Sequence, residues 1–190
     1  AYQTQYQISD EDYRRALATV AALCYKNGLE NPKAHFGAGS IIEKLNLTTA
    51  DAILGLEDRK NMMIAEPLRL HDCSLVTDGA AALVLSHEDL AKGKDKAVSV
   101  AGVGHAEERM PLSQRDKRHE LTAAKVAIGR AFEEAGVSLA DVDLAEVHDC
   151  FTSNQIMCTE ALGLSDDGRA WQDYLDGRFG RDDRCPVNLS

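Results

Sequence analysis

The order of local patterns along the chain predicts an α/β fold built in layers. Three observations carry this. From residue 97 onward, apolar strand-like runs alternate with helix-periodic runs, in the order strand, helix, strand, helix. Ala and Leu are abundant, while Phe, Trp and Tyr make up only 5% of the residues, which favours tightly packed layers over an aromatic-rich binding surface. Small residues in "DGAAALVLS" (78–86) suit a buried strand that packs closely on its neighbours.

Each element has its own warrant. In "SDEDYRRALATVAALCYKNG" (9–28), Ser9 and Asp12 resemble a capping box and acids crowd the first turn. Tyr13, Ala16, Leu17, Val20 and Cys24 follow at helical spacing, and Asn27-Gly28 with Asn31-Pro32 mark the stop. Residues 33–70 are mixed, with one short helix expected from Thr49 to about Leu56. A strand is expected over 79–86, then a helix capped by Ser86 and Asp89, then a polar linker, "KGKDK", at 92–96. "AVSVAGVGH" (97–105) reads as a strand. "HELTAAKVAIGRAFEEAG" (119–136) reads as an amphipathic helix, with Leu121, Ala124, Ile128, Phe132 and Ala135 on one face and Gly136 as terminator. "DLAEVHDCF" (143–151) begins as a strand, and "TSNQIMCTEALG" (152–163) is a helix capped by Thr152 or Ser153. The tail 164–184 is polar and irregular, and "CPVNLS" at the end looks like the start of a strand with nothing after it to pair with. With no initiator Met, the 190 residues read as an internal piece of something longer.

Bulk properties exclude several functions. The net charge of −10 and the lack of a basic stripe argue against nucleic-acid binding, because no counterion release is gained. No apolar run approaches the ~20 residues of a membrane span. The N terminus has no basic-then-apolar leader and the C terminus no Ser-Lys-Leu address. The cysteines Cys24, Cys73, Cys150, Cys158 and Cys185 are odd in number and contain no CxxC pair, as expected for free thiols in a reducing, cytoplasmic setting.

The triplet His-Asp-Cys occurs twice, at 71–73 and at 148–150. The second copy sits where a strand is expected to give way to a helix, the place where ligands gather in open α/β sheets. A thiol at that helix N terminus, beside an imidazole, has two reasons for a depressed pKa and suits nucleophilic or proton-transfer work. His148 can donate to a developing oxyanion, directly or through water. Strand alternation places His148 and Cys150 on one side and Asp149 on the other. The alternative is a buried Cys and a satisfied His beside a core strand. A metal site is disfavoured, since H-x-C supplies two ligands at most and no other histidine stands at ligand spacing. The first copy leads into a turn at Asp78-Gly79, so Cys73 reads as structural, as does Cys24 on its helix face.

Two long strings carry a resemblance. "CSLVTDGAAALVLS" resembles the Ser-x-x-x-Asp-Gly-Ala-Ala segment of thiolases, and "VHDCFTSNQIMCTEALGL" looks like the HDCF loop and following helix of the sterol-carrier-protein type. The early "YKNGLENPKAHF" and the closing "PVNLS" fall in the family's order. The resemblance implies a thiolase-like layered αβα fold, incomplete here, with 1–91 as the end of the N-terminal domain and its loop region and 97–190 as the beginning of the C-terminal domain. It implies Claisen chemistry on 3-oxoacyl-CoA, with coenzyme A thioester as substrate and no cofactor. In that scheme His148 helps bind the thioester oxyanion through a water, and Cys150 takes and returns the α-proton or protonates the leaving CoA thiolate. Phe151 lines the acyl pocket, Ser74 meets the pantetheine arm, and Met110 lines the pocket by a weaker match. The family's acyl-accepting Cys and its Gly-His-Pro motif have no counterpart in these residues. The 190-residue chain alone is therefore expected to be inactive and poorly stable, completed by a homo-oligomer or a partner chain. Two other readings stay open: a thiolase-like retro-aldol lyase on a CoA thioester, and a non-catalytic CoA-binding subunit.

Overall fold

The computed structural model describes residues 1–190, as eight α-helices and one two-stranded hairpin. The helices are α1 (Tyr2–Gln5), α2 (Asp10–Glu30), α3 (Ile41–Lys44), α4 (Ala50–Leu54), α5 (Glu88–Ala91), α6 (Thr122–Ala135), α7 (Thr152–Ala161) and α8 (Ala170–Leu175). The hairpin pairs β1 (Met63–Ala65) with β2 (Leu68–Arg69), antiparallel. No helix is long and apolar enough to cross a membrane.

Helix α2 organises the molecule. Ser9 Oγ accepts from Asp12 N at 3.1 Å and donates to the Asp12 carboxylate at 2.7 Å, so the expected cap forms. Asn27-Gly28 do not stop the helix. It runs to Glu30 and breaks only at Asn31, in front of Pro32. One face buries Tyr13, Ala16, Leu17 and Val20 against α7, α8 and the closing segment, in a core that includes Ile156, Tyr174, Phe179 and Val187. The opposite face buries Ala18, Ala21 and Ala22 against Ile42, Leu47 and Ile53. Leu17, Val20, Ile53 and Ile156 are fully buried. Each such side chain contributes about 1.5–3 kcal/mol, so this two-sided burial outweighs the ~1 kcal/mol cost of an interior glycine at 28.

The expected strands at 79–86 and 97–105 form no ladders: both segments lack regular structure, with Val84 and Val98 more than nine-tenths exposed. A strand is completed only by partners, and the chain places none beside them. The second segment instead lies on α6. A Cβ on Gly104 would stand 1.7 Å from the Ala127 carbonyl oxygen and one on Gly102 2.2 Å from that of Ala131, so only glycine permits this approach. Val103 N–H donates to Glu134 at 2.8 Å. Gly136 ends α6 in the left-handed conformation, as its sequence predicts.

Two further expectations are corrected, and a third is completed. The cap of α5 is His87, whose ring accepts from Asp89 N, in place of Ser86. The tail 164–184 contains α8, whose Tyr174 is fully buried; its polar composition hides an inward face built on two aromatic rings, Tyr174 and Phe179. The closing segment has a partner: Ala145 and Val187 form a parallel bridge, with Ala145 N–H donating to Pro186 at 3.0 Å and Asn188 N–H to Ala145 at 2.9 Å. The supply of pairing for "CPVNLS" therefore precedes it in the chain by some forty positions.

Candidate active site

The two HDC triplets meet. Cys73 and Phe151 form an antiparallel bridge, and Ser74 N–H donates to the Cys150 carbonyl at 2.9 Å. The loop 148–152 is fastened at four further points. Asn154 Nδ2 donates to the His148 carbonyl at 2.6 Å, and the Cys158 thiol to the same oxygen at 3.7 Å. The Cys24 thiol lies 3.9 Å from Asp149 Oδ2. Thr152 Oγ1 donates to Asp72 Oδ1 at 3.2 Å. Neither Thr152 nor Ser153 caps α7: Phe151, whose ring has no acceptor, holds the cap position, and the Thr152 hydroxyl goes to Asp72.

Asp72 is the anchor. Its side chain is wholly buried and takes a two-pronged contact from Arg14, with Nη1 on Oδ2 and Nη2 on Oδ1 at 2.8 Å, and Arg69 N–H donates to Oδ2 at 2.8 Å. Bidentate guanidinium pairing with added hydrogen bonds is the arrangement that makes a buried carboxylate tolerable, and breaking one costs about 3–5 kcal/mol.

Asp149 and Ser74 face a cavity of about 310 Å³ between α2 and the loop, whereas His148 and Cys150 do not line it. Cys24, Tyr25, His71, Ser74, Asp149 and Gln155 line it. Tyr25 Oη and His71 Nδ1 share a hydrogen bond at 2.7 Å, and burial holds the His71 imidazole below its ordinary pKa. Cys24 packs against the apolar core and also forms part of the cavity wall. Burial, with the Asp149 charge beside it, pushes its thiol up to about 12, which removes it as a nucleophile near neutrality. Tyr25, Asp72 and Gln155 escaped the sequence reading; the repeated HDC was the one available clue to Asp72.

Cys150 corrects the expectation of a depressed thiol. Its pKa is raised, because burial outweighs the N–H groups of Phe151 and Cys150 that favour the thiolate, and Asp149 adds to the rise. The half-buried Cys150 is therefore a protonated thiol at neutral pH. His148 and Phe151 are exposed, and Phe151 lies outside the cavity lining. Met110 is 87% exposed in a segment without regular structure, and the geometry does not bring it to the loop.

Comparison with known proteins places the chain in a family. Residues 104–190 match the thiolase C-terminal domain-like family. The chain is 34% identical to an acetyl-CoA acetyltransferase of Methanothermobacter thermautotrophicus over 93% of this chain and 43% of that protein. It is 32% identical to sterol carrier protein 2 of Oryctolagus cuniculus over 60% of this chain and 22% of that protein. The solved Ltp2-ChsH2(DUF35) aldolase superposes with a TM-score of 0.78, at 22% identity, over 99% of this chain and 46% of its own. The chain thus spans less than half the length of the proteins it matches. With the fold shared along nearly its whole length and the sequence match running through both HDC segments, the chain belongs to the thiolase superfamily.

Proposed function

We propose that these residues form part of a thiolase-type acyltransferase that makes or cleaves 3-oxoacyl-CoA. The observation that carries the reading is the hydrogen bond from Ser74 N–H to the Cys150 carbonyl, which joins the two segments that resemble the family into one site. Ser74 meets the pantetheine arm of the thioester, Phe151 lines the acyl path, and His148 donates through water to the thioester oxygen as charge develops there. Cys150 handles the proton. Its raised pKa suits the acid half of that role: the thiol gives its proton to the α-carbanion released when the carbon–carbon bond breaks, and in the condensation direction its thiolate takes that α-proton back. The structural likeness to an aldolase reports the fold; the choice of acyl transfer rests on an intact Cys150, which has a defined task there.

The acyl-accepting thiol belongs to the part of the fold outside these residues. Cys24, which lines the cavity together with Cys73, is held protonated and hydrogen-bonded to Gln155 at 3.1 Å. A second segment or partner chain completes the site, and the exposed apolar runs around Val84 and Val98 support this. The test is thiolysis of a 3-oxoacyl-CoA by this chain alone and together with an N-terminal thiolase segment carrying a reactive cysteine. Activity is expected only from the pair and is lost with Cys150→Ala. Undiminished thiolysis by the Cys150→Ala pair rules out the proposed proton role.

A further inference from the structure

We infer that Asp72, in the first HDC triplet, is a positioning residue for the second: through Thr152 and the backbone of 73–74 it holds Cys150 in its half-buried place against the start of α7. The inference bears on catalysis only through the role proposed above for Cys150, but the positioning stands on geometry alone.

Every contact at Asp72 is a donor aimed at a carboxylate oxygen: two Arg14 nitrogens, Arg69 N–H and the Thr152 hydroxyl. An acceptor-only group is needed, and an amide would turn one of its own donors toward this set. Asp72 is tied to α2 through Arg14, so it acts as a fixed post. The loop is held to that post on both sides of Phe151. On one side the Cys150 carbonyl takes Ser74 N–H at 2.9 Å; on the other the Thr152 hydroxyl reaches Asp72 at 3.2 Å. The Cys150 and Phe151 N–H groups, which favour the Cys150 thiolate, belong to this same stretch of backbone. Releasing Thr152 frees the segment that sets both the burial of that thiol and its N–H contacts. Because burial is the larger influence on Cys150, release moves the thiol toward an ordinary, more reactive state.

The experiment is site-resolved alkylation of the intact chain with iodoacetamide across a pH series, read by peptide mass spectrometry. Thr152→Val removes the hydroxyl and keeps the Arg14–Asp72 pair; Asp72→Asn disturbs the post itself. In both, Cys150 is expected to alkylate roughly three- to tenfold faster at mildly alkaline pH, with its pH midpoint lowered, while Cys24 and Cys185 stay protected. Should Asp72→Asn fail to fold, Thr152→Val decides alone. An unchanged Cys150 profile in Thr152→Val overturns the inference, and so does a parallel rise at Cys24 and Cys185, which would mark a general stability contact. Thiolysis is not part of this readout, so failure of the acyltransferase reading would leave the result standing.

Discussion

Replacing Gln155 with leucine removes the polar hub between α2, α7, α8 and the closing segment. Gln155 is fully buried; its amide donates to Tyr174 Oη at 3.0 Å and accepts from Asn188 Nδ2 at 3.2 Å and from the Cys24 thiol at 3.1 Å. The three losses differ. Tyr174 keeps its contact with Thr159 at 2.9 Å, so that loss is about 0.5–1.5 kcal/mol. Asn188, only 6% exposed, is left with an unpaired amide donor, which costs about 1–3 kcal/mol. Cys24 is a weak donor and still faces Asp149. Leucine returns roughly 1 kcal/mol through apolar burial. The net expectation is a loss of about 1–3 kcal/mol, or roughly 3–10 °C in midpoint for a chain of this size. Urea unfolding followed by circular dichroism, with parallel thermal melts, measures it. Equal or greater stability in Gln155→Leu would refute the reasoning and show that the hub is replaceable by shape alone.

Three other outcomes follow from the same contacts. Burial holds the Glu160 carboxyl above its ordinary 4.5, against the opposing hydrogen bonds from Tyr2 and the backbone of Gly168 and Ala170. A raised folded pKa means that the group's contribution is fully present below the unfolded value and is lost as pH rises through the folded one. Urea midpoints of the parent should therefore carry a downward component above about pH 4.5 that Glu160→Gln lacks, and identical slopes would count against it. Cys24, held near 12, has a thiolate fraction at pH 8 about a thousandfold below that of an ordinary thiol at 9.0, so its alkylation there is slower by about that factor; a rate near that of a free thiol would sink the assignment. Gly104→Ala places a methyl into the Ala127 carbonyl and should lift 97–105 off α6, seen as lost hydrogen-exchange protection at the Val103 amide, with global stability altered by less than about 1 kcal/mol.

Local information is legible wherever the cause is local. The cap of α2, the end of α6 at Gly136 and the start of α4 at Thr49 depend on residues within one turn, and all three read directly from the letters. The end of α2 was misplaced by two residues because tertiary burial on both faces carries the helix past Gly28. The runs at 79–86 and 97–105 have strand composition, yet composition does not supply a neighbour, and the structure leaves them without ladders. Helix α8 was missed because Ala170 and Tyr174 bury an inward face that the surrounding charges conceal.

The site divides along the same line. Residue order alone singled out His148, Cys150 and Ser74, because long strings with a fixed internal spacing identify a family without reference to distance. What only the tertiary structure decided is how the two HDC copies are related. The first is tied to the start of the helix that follows the second, since Asp72 reaches Thr152 across eighty positions of chain. The same folding set the state of the thiols. A helix N terminus and an imidazole suggested a depressed Cys150, but desolvation is a property of everything packed around a group, and burial raised it instead. Cys24 packs against the core, as its helical spacing implies, and only the tertiary fold adds its place on the cavity wall, 3.9 Å from Asp149.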